Sequence, residues 1–107
     1  MPRPKNNEGG TDVVTETAKP KLARPPMYRV LLHNDDYTTR DFVVFVLQHL
    51  FNKSETDAVQ IMLHVHHNGI GVAGVFTREV AEMKMKRTLE LAREQEFPLL
   101  VTIEPAE

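Results

Sequence analysis

His33-Asn34-Asp35-Asp36-Tyr37-Thr38 is the stretch on which the reading of this 107-residue chain turns. It closes an apolar, β-branched run, Tyr28 to Leu32, and opens a helical one, Phe42 to Phe51. Asn and Asp leave a strand readily, because their short side chains bond the local backbone and tolerate turn geometry. Thr38 or Thr39 can cap the helix that follows. Two carboxylates and an amide therefore stand at the mouth of a strand-to-helix turn, where loops on a rigid scaffold carry function.

Outward from that turn, the spacing predicts three strands and three helices. Met27 to Leu32 is the first strand, and helix 1 runs from about Thr39 to Leu50 with Phe42, Val43, Val46, Leu47 and Leu50 at helical spacing. Ser54, followed three residues on by Asp57, resembles a capping box opening helix 2. Its apolar stripe of Ala58, Ile61, Met62 and Val65 stops at Asn68-Gly69, a typical left-handed terminus. Ile70 to Phe76 is a second strand and Thr77 caps helix 3, whose Ala81, Met85, Leu89 and Ala92 can face a core. Glu79, Glu82 and Lys84 fall on that helix's exposed side. Pro98 ends the helical region, and Leu99 to Ile103 is the last strand. The order β-α-α-β-α-β predicts an α+β fold: a three-stranded, mostly antiparallel sheet with three helices packed on one face.

Residues 1–24 are polar and rich in Pro and Gly, and they read as a disordered N-terminal extension ahead of a domain at 25–107. With 41% hydrophobic residues the domain can bury a core. A net charge of −2 argues against a general nucleic-acid-binding surface. The absence of cysteine removes disulfides, thiolate metal sites and thiol catalysis together. The longest apolar run, Phe42 to Leu47, is too short to cross a membrane, and the N-terminus lacks the apolar core of a secretion signal, so a cytoplasmic protein is expected.

Five histidines invite a metal reading, above all His64, His66 and His67. Helical metal pairs usually sit four apart on one face, and these do not. No cofactor is expected. His66 differs from the others because Met62 lies one turn before it and Val65 at the edge of the same stripe. The end of helix 2 thus presents an imidazole beside an apolar wall, at the helix pole that favours a cation. If the Asn34-Asp35-Asp36 turn folds against it, the two make an acidic cup next to a greasy hole. Ser54 is the only serine and serves a cap, so nucleophilic catalysis has no visible apparatus. The rival reading is a small metal-dependent hydrolase using Asp35, Asp36 and His66.

Several segments together resemble the ClpS family, adaptors that bring N-degron substrates to a Clp AAA+ protease. They are Tyr28-x-Val30, Asn34-Asp35-Asp36-Tyr37-Thr38, Phe42-Val43, Met62-x-x-Val65-His66-x-x-Gly69, the run from Gly74 to Lys84 through Phe76, Glu79, Ala81 and Glu82, and Pro98-Leu99. The resemblance implies a binding module without enzymatic activity. It implies that Asn34, Asp35 and His66 hold the free α-amino group of a substrate's first residue. Val43, Met62, Val65 and Leu99 would line the pocket for a bulky Leu, Phe, Tyr or Trp side chain, with Asp36 and Thr38 at the rim. Glu79 and Lys84 would face the N-domain of a ClpA-like unfoldase, and the N-terminal extension would take part in handing substrate over. The family commonly reads Pro-Met after the turn, where this chain has Thr39-Arg40. The methionine acts as a gate, so Arg40 is expected to change the ranking among hydrophobic first residues without loss of amine recognition.

Overall fold

Val30, Leu31 and Leu32 are the buried residues of β1, Met27–His33, the central strand of the sheet. The structure, a computed structural model, describes residues 24–107; the expected disordered extension lies outside the described residues, apart from Arg24. The elements follow as α1, Arg40–His49; α2, Glu55–Asn68; β2, Ile70–Thr77; α3, Arg78–Glu94; and β3, Leu100–Pro105. The strands are ordered β2-β1-β3, both pairings antiparallel. This is the expected β-α-α-β-α-β architecture. Among the described residues no helix is long and apolar enough to cross a membrane.

Alternation along the strands separates two faces. Val30 and Leu32 of β1, Ala73 of β2 and Val101 of β3 are buried in one core with Phe42, Val46 and Leu47 of α1, Ala58 and Val65 of α2, and Ala81 and Ala92 of α3. Each Val, Leu or Phe side chain among them contributes about 1.5–3 kcal/mol when fully buried. Those on α1 and α2 fix the two helices that carry the site. Gly71 is needed where α2 crosses β2, since a Cβ there would stand 2.7 Å from the Cγ2 of Val65. The close approach sets the C-terminal end of α2 beside the end of β1, where His33 pairs with Ile70.

Local chemistry explains the boundaries. Thr39 caps α1, its Oγ1 accepting from the Phe42 N–H at 3.1 Å, and Ser54 accepts from Asp57 N–H at 3.1 Å to open α2. Thr77 occupies the N-cap of α3 but its side chain makes no capping bond, a difference from expectation. α3 ends four residues before Pro98. The Glu96 N–H bonds the Arg93 carbonyl and the Phe97 N–H the Ala92 carbonyl, with Glu96 at φ 63 in the left-handed position usually given to glycine. Lys84 departs from the exposed placement expected for it. Its Nζ donates to the Leu50 carbonyl at the end of α1 at 2.6 Å, and it lies over the Phe51 and Phe76 rings at 5.9 and 5.6 Å. A four-carbon stem lets the ammonium cross an apolar surface to reach a helix's unsatisfied carbonyl.

Candidate functional site

One backbone hydrogen bond assembles the site. The Asn34 N–H donates to the Gly69 carbonyl at 2.9 Å, tying the β1–α1 turn to the end of α2. Gly69, at φ 88, is the left-handed cap of α2, and its own N–H returns to the Val65 carbonyl at 2.8 Å. A side chain at Gly69 meets no neighbour but is strained by that φ, so glycine is required by conformation rather than by space.

Asp35 organises the turn. Its Oδ1 accepts from the Tyr37 N–H at 2.8 Å and the Thr38 N–H at 2.7 Å, while Oδ2 accepts from the Thr38 hydroxyl at 2.7 Å. The two adjacent threonines thus divide the work: Thr38 closes the turn and Thr39 caps the helix. Burial of Asp35 acts to raise its pKa. The hydrogen bonds from the Thr38 side chain and from the Thr38 and Tyr37 backbones act the other way, and the net effect holds the carboxyl below its ordinary range. A carboxylate offers about four lone-pair directions, so three fixed donors leave Asp35 able to accept one more.

Asn34, Asp35, Asp36 and Thr38 line a recess of about 350 Å³ together with Arg40, Val43, Met62, Val65 and His66. Val43 and Val65 are buried and Met62 half-buried, so the apolar wall is contributed by α1 and α2. Asn34, Asp36, Arg40 and His66 are exposed at the opening. The His66 Nε2 accepts from the Arg40 Nη2 at 3.0 Å. Because a guanidinium has only donors, this contact requires a neutral imidazole with its proton on Nδ1. The ring of His67 meets that of His66 edge-on, centroids 5.3 Å apart. The arrangement can hold a cation against several acceptors while an attached apolar group is buried.

Leu99 is not part of this lining. Its exposure is 5%, and it packs in the same core cluster as Val43 and Val65 while bordering a different recess with Leu89, Ala92 and Phe97. Leu99 lies just before β3 and is buried, whereas Leu100, the first residue of the strand, is exposed. Glu79 is exposed in the first turn of α3, and Lys84 is half-buried on the structural contacts given above. Tyr37 and Thr39 also line the recess, and neither was singled out from sequence as a site residue. Their signal was contiguity, since every position from 34 to 40 reaches the opening. Among the described residues no three His, Asp or Glu side chains converge as a metal site.

A family model described as "ATP-dependent Clp protease adaptor protein ClpS" matches residues 23–102. The chain belongs to the ClpS family. It is 60% identical over 102 residues to the ATP-dependent Clp protease adapter protein ClpS of Myxococcus xanthus, covering 94% of this chain and 95% of that one. With the ClpS of Caulobacter vibrioides strain NA1000 it shares 55% identity over 98 residues, 92% of this chain and 89% of the relative. Among solved structures, Agrobacterium tumefaciens ClpS2 bound to L-phenylalaninamide superposes with a TM-score of 0.74 at 44% identity, covering 77% of this chain and 99% of that one. As a ClpS, the chain is an adaptor of a Clp protease and not an enzyme, and membership sets aside the hydrolase reading of Asp35, Asp36 and His66.

Proposed function

We propose that this ClpS binds the free N-terminus of proteins beginning with Leu, Phe, Tyr or Trp and delivers them to a ClpA-like AAA+ unfoldase for degradation in the cytoplasm. The observation that carries the reading is the shared recess: Asn34, Asp35 and His66 stand at its opening, and Val43, Met62 and Val65 form its wall. An α-amine has a pKa of about 7.7–8.0 and is mostly cationic at neutral pH. An ammonium has three N–H donors, and the opening offers three acceptors: the spare direction on Asp35, the Asn34 side-chain carbonyl and the His66 Nε2. Hydrogen bonds to charged groups are worth about 1.5–3 kcal/mol each. Only at a chain start does such a cation sit one carbon from a side chain, so the apolar wall reads the first residue while the acceptors certify that it is first. Side chains that fill the recess poorly lose about 1–3 kcal/mol per methylene.

Arg40 at the opening ranks the hydrophobic residues differently from a methionine gate, and the affinities of peptides starting with Leu, Phe, Trp and Ile shift in order on Arg40→Met. Delivery uses the α3 face carrying Glu79 and Lys84 against the unfoldase's N-domain. The test is ATP-dependent degradation of a reporter beginning with Leu by a ClpA-like protease, with and without this chain. Acceleration that disappears when the reporter begins with Gly, or when the unfoldase lacks its N-domain, is the expected result. Equal rates for Leu and Gly reporters contradict the reading.

A further inference from the structure

Arg40 is the one cation among the described residues that line the recess. It opens α1 from an exposed position, and no carboxylate lies within ion-pair distance of it among the described residues. The partner it does have is the neutral His66 ring, at 3.0 Å. That contact engages one of the five N–H donors of a guanidinium. It also occupies the Nε2 lone pair assigned above to the incoming ammonium. One lone pair cannot serve both donors, so an amine that takes His66 releases Arg40 at the lip of the recess.

We propose that Arg40 is a specificity-determining residue for the second position of the bound chain: once displaced from His66 by the α-ammonium, its guanidinium pairs with the carboxylate of an Asp or Glu that follows the hydrophobic first residue. The proposal rests on the amine-recognition reading and goes beyond it. Successive Cα atoms are about 3.8 Å apart, so with the first side chain in the recess the second residue emerges beside the opening. Guanidinium and carboxylate match as a two-pronged pair. Asp35 and Asp36 on the turn and Asp41 beside Arg40 act against an acidic second residue. Without Arg40 the opening is purely anionic and rejects it. The pair is exposed, so its effect is modest: about fivefold for a good surface ion pair, and smaller at high salt.

The test is a binding cycle with the full chain. Decapeptides Leu-Asp and Leu-Asn, otherwise identical, are titrated against the unaltered protein, Arg40→Met and Arg40→Lys at low and high salt. The Asp-to-Asn affinity ratio is expected to fall about fivefold on Arg40→Met, to be partly kept by Arg40→Lys, and to shrink with salt in the unaltered protein. An unchanged ratio in Arg40→Met overturns the proposal, including the case where that variant binds both peptides more tightly and Arg40 is merely a competitor. If the unaltered protein binds neither peptide, the amine reading itself fails, an outcome distinct from a flat ratio between two bound peptides.

Discussion

Arg40 and Lys84 are both cations on helices of the same small domain, and they meet opposite fates. Lys84, half-buried, reaches across to the carbonyl of Leu50, the C-cap of α1, and lies over two phenylalanine rings, so its charge is held by a contact within the fold. Arg40 rests on a neutral imidazole at the edge of a recess, with no anion beside it among the described residues. The turn region keeps its cation free of any anion at the opening, among the described residues, whereas the middle of α3 uses its charge to close the C-terminus of another helix. A cation's role is set by its partner, which a count of charges does not show.

The comparison breaks most sharply at Asp35. Replacing it with Ala removes the acceptor for three turn donors and the anion facing the amine. Peptide affinity is expected to fall at least about 100-fold, or about 2.8 kcal/mol, with the far-ultraviolet circular dichroism of the helices retained. An affinity within threefold of the unaltered protein contradicts the role given to the turn. Lys84→Met reverses the pattern. It leaves the Leu50 carbonyl without its donor and is expected to cost about 1–3 kcal/mol in urea unfolding, while affinity for a Leu-starting peptide stays within about twofold. Loss of peptide binding with unchanged stability places Lys84 on the wrong side of the comparison.

Acidification tests the turn itself. A carboxyl whose folded pKa is depressed stabilises above its unfolded pKa of about 3.9, and that contribution fades only as pH falls through the lower folded value. Asp35 therefore stays ionised and the turn closed at pH 5. The Tyr37 and Thr38 amide resonances are expected to keep their hydrogen-bonded shifts from pH 7.5 to pH 5, and their loss already at pH 5 contradicts the depressed carboxyl. The smallest effect concerns neither cation. Glu96→Gly relieves the left-handed position that ends α3 and is expected to stabilise by about 1 kcal/mol, seen as a higher urea midpoint with unchanged binding.

The six elements were legible because each carries its apolar spacing and stop signals in contiguous residues. Ser54 and Asn68-Gly69 bound α2 as expected. Other features depend on partners far along the chain. The bond from Asn34 to Gly69 joins two backbone groups and leaves no trace in residue identity, yet it brings the turn to His66. Lys84 reads as solvated on helical spacing, and the carbonyl it meets belongs to Leu50, 34 residues earlier in the chain. The end of α3 was placed by Pro98, whereas a glutamate in glycine's conformation stops it earlier. Leu99 belongs to the pocket by resemblance alone, and its own surroundings are the core cluster and a different recess.

Calorimetric titration of one Leu-starting decapeptide, with its first amine free and then acetylated, tests the central claim most directly. Acetylation removes the charge and two of the three donors while leaving the leucine intact. At least a 100-fold weaker affinity for the acetylated peptide, about 2.8 kcal/mol, is the predicted result. Equal affinity means that the recess recognises only an apolar side chain, and that Asn34, Asp35 and His66 do not hold a chain terminus.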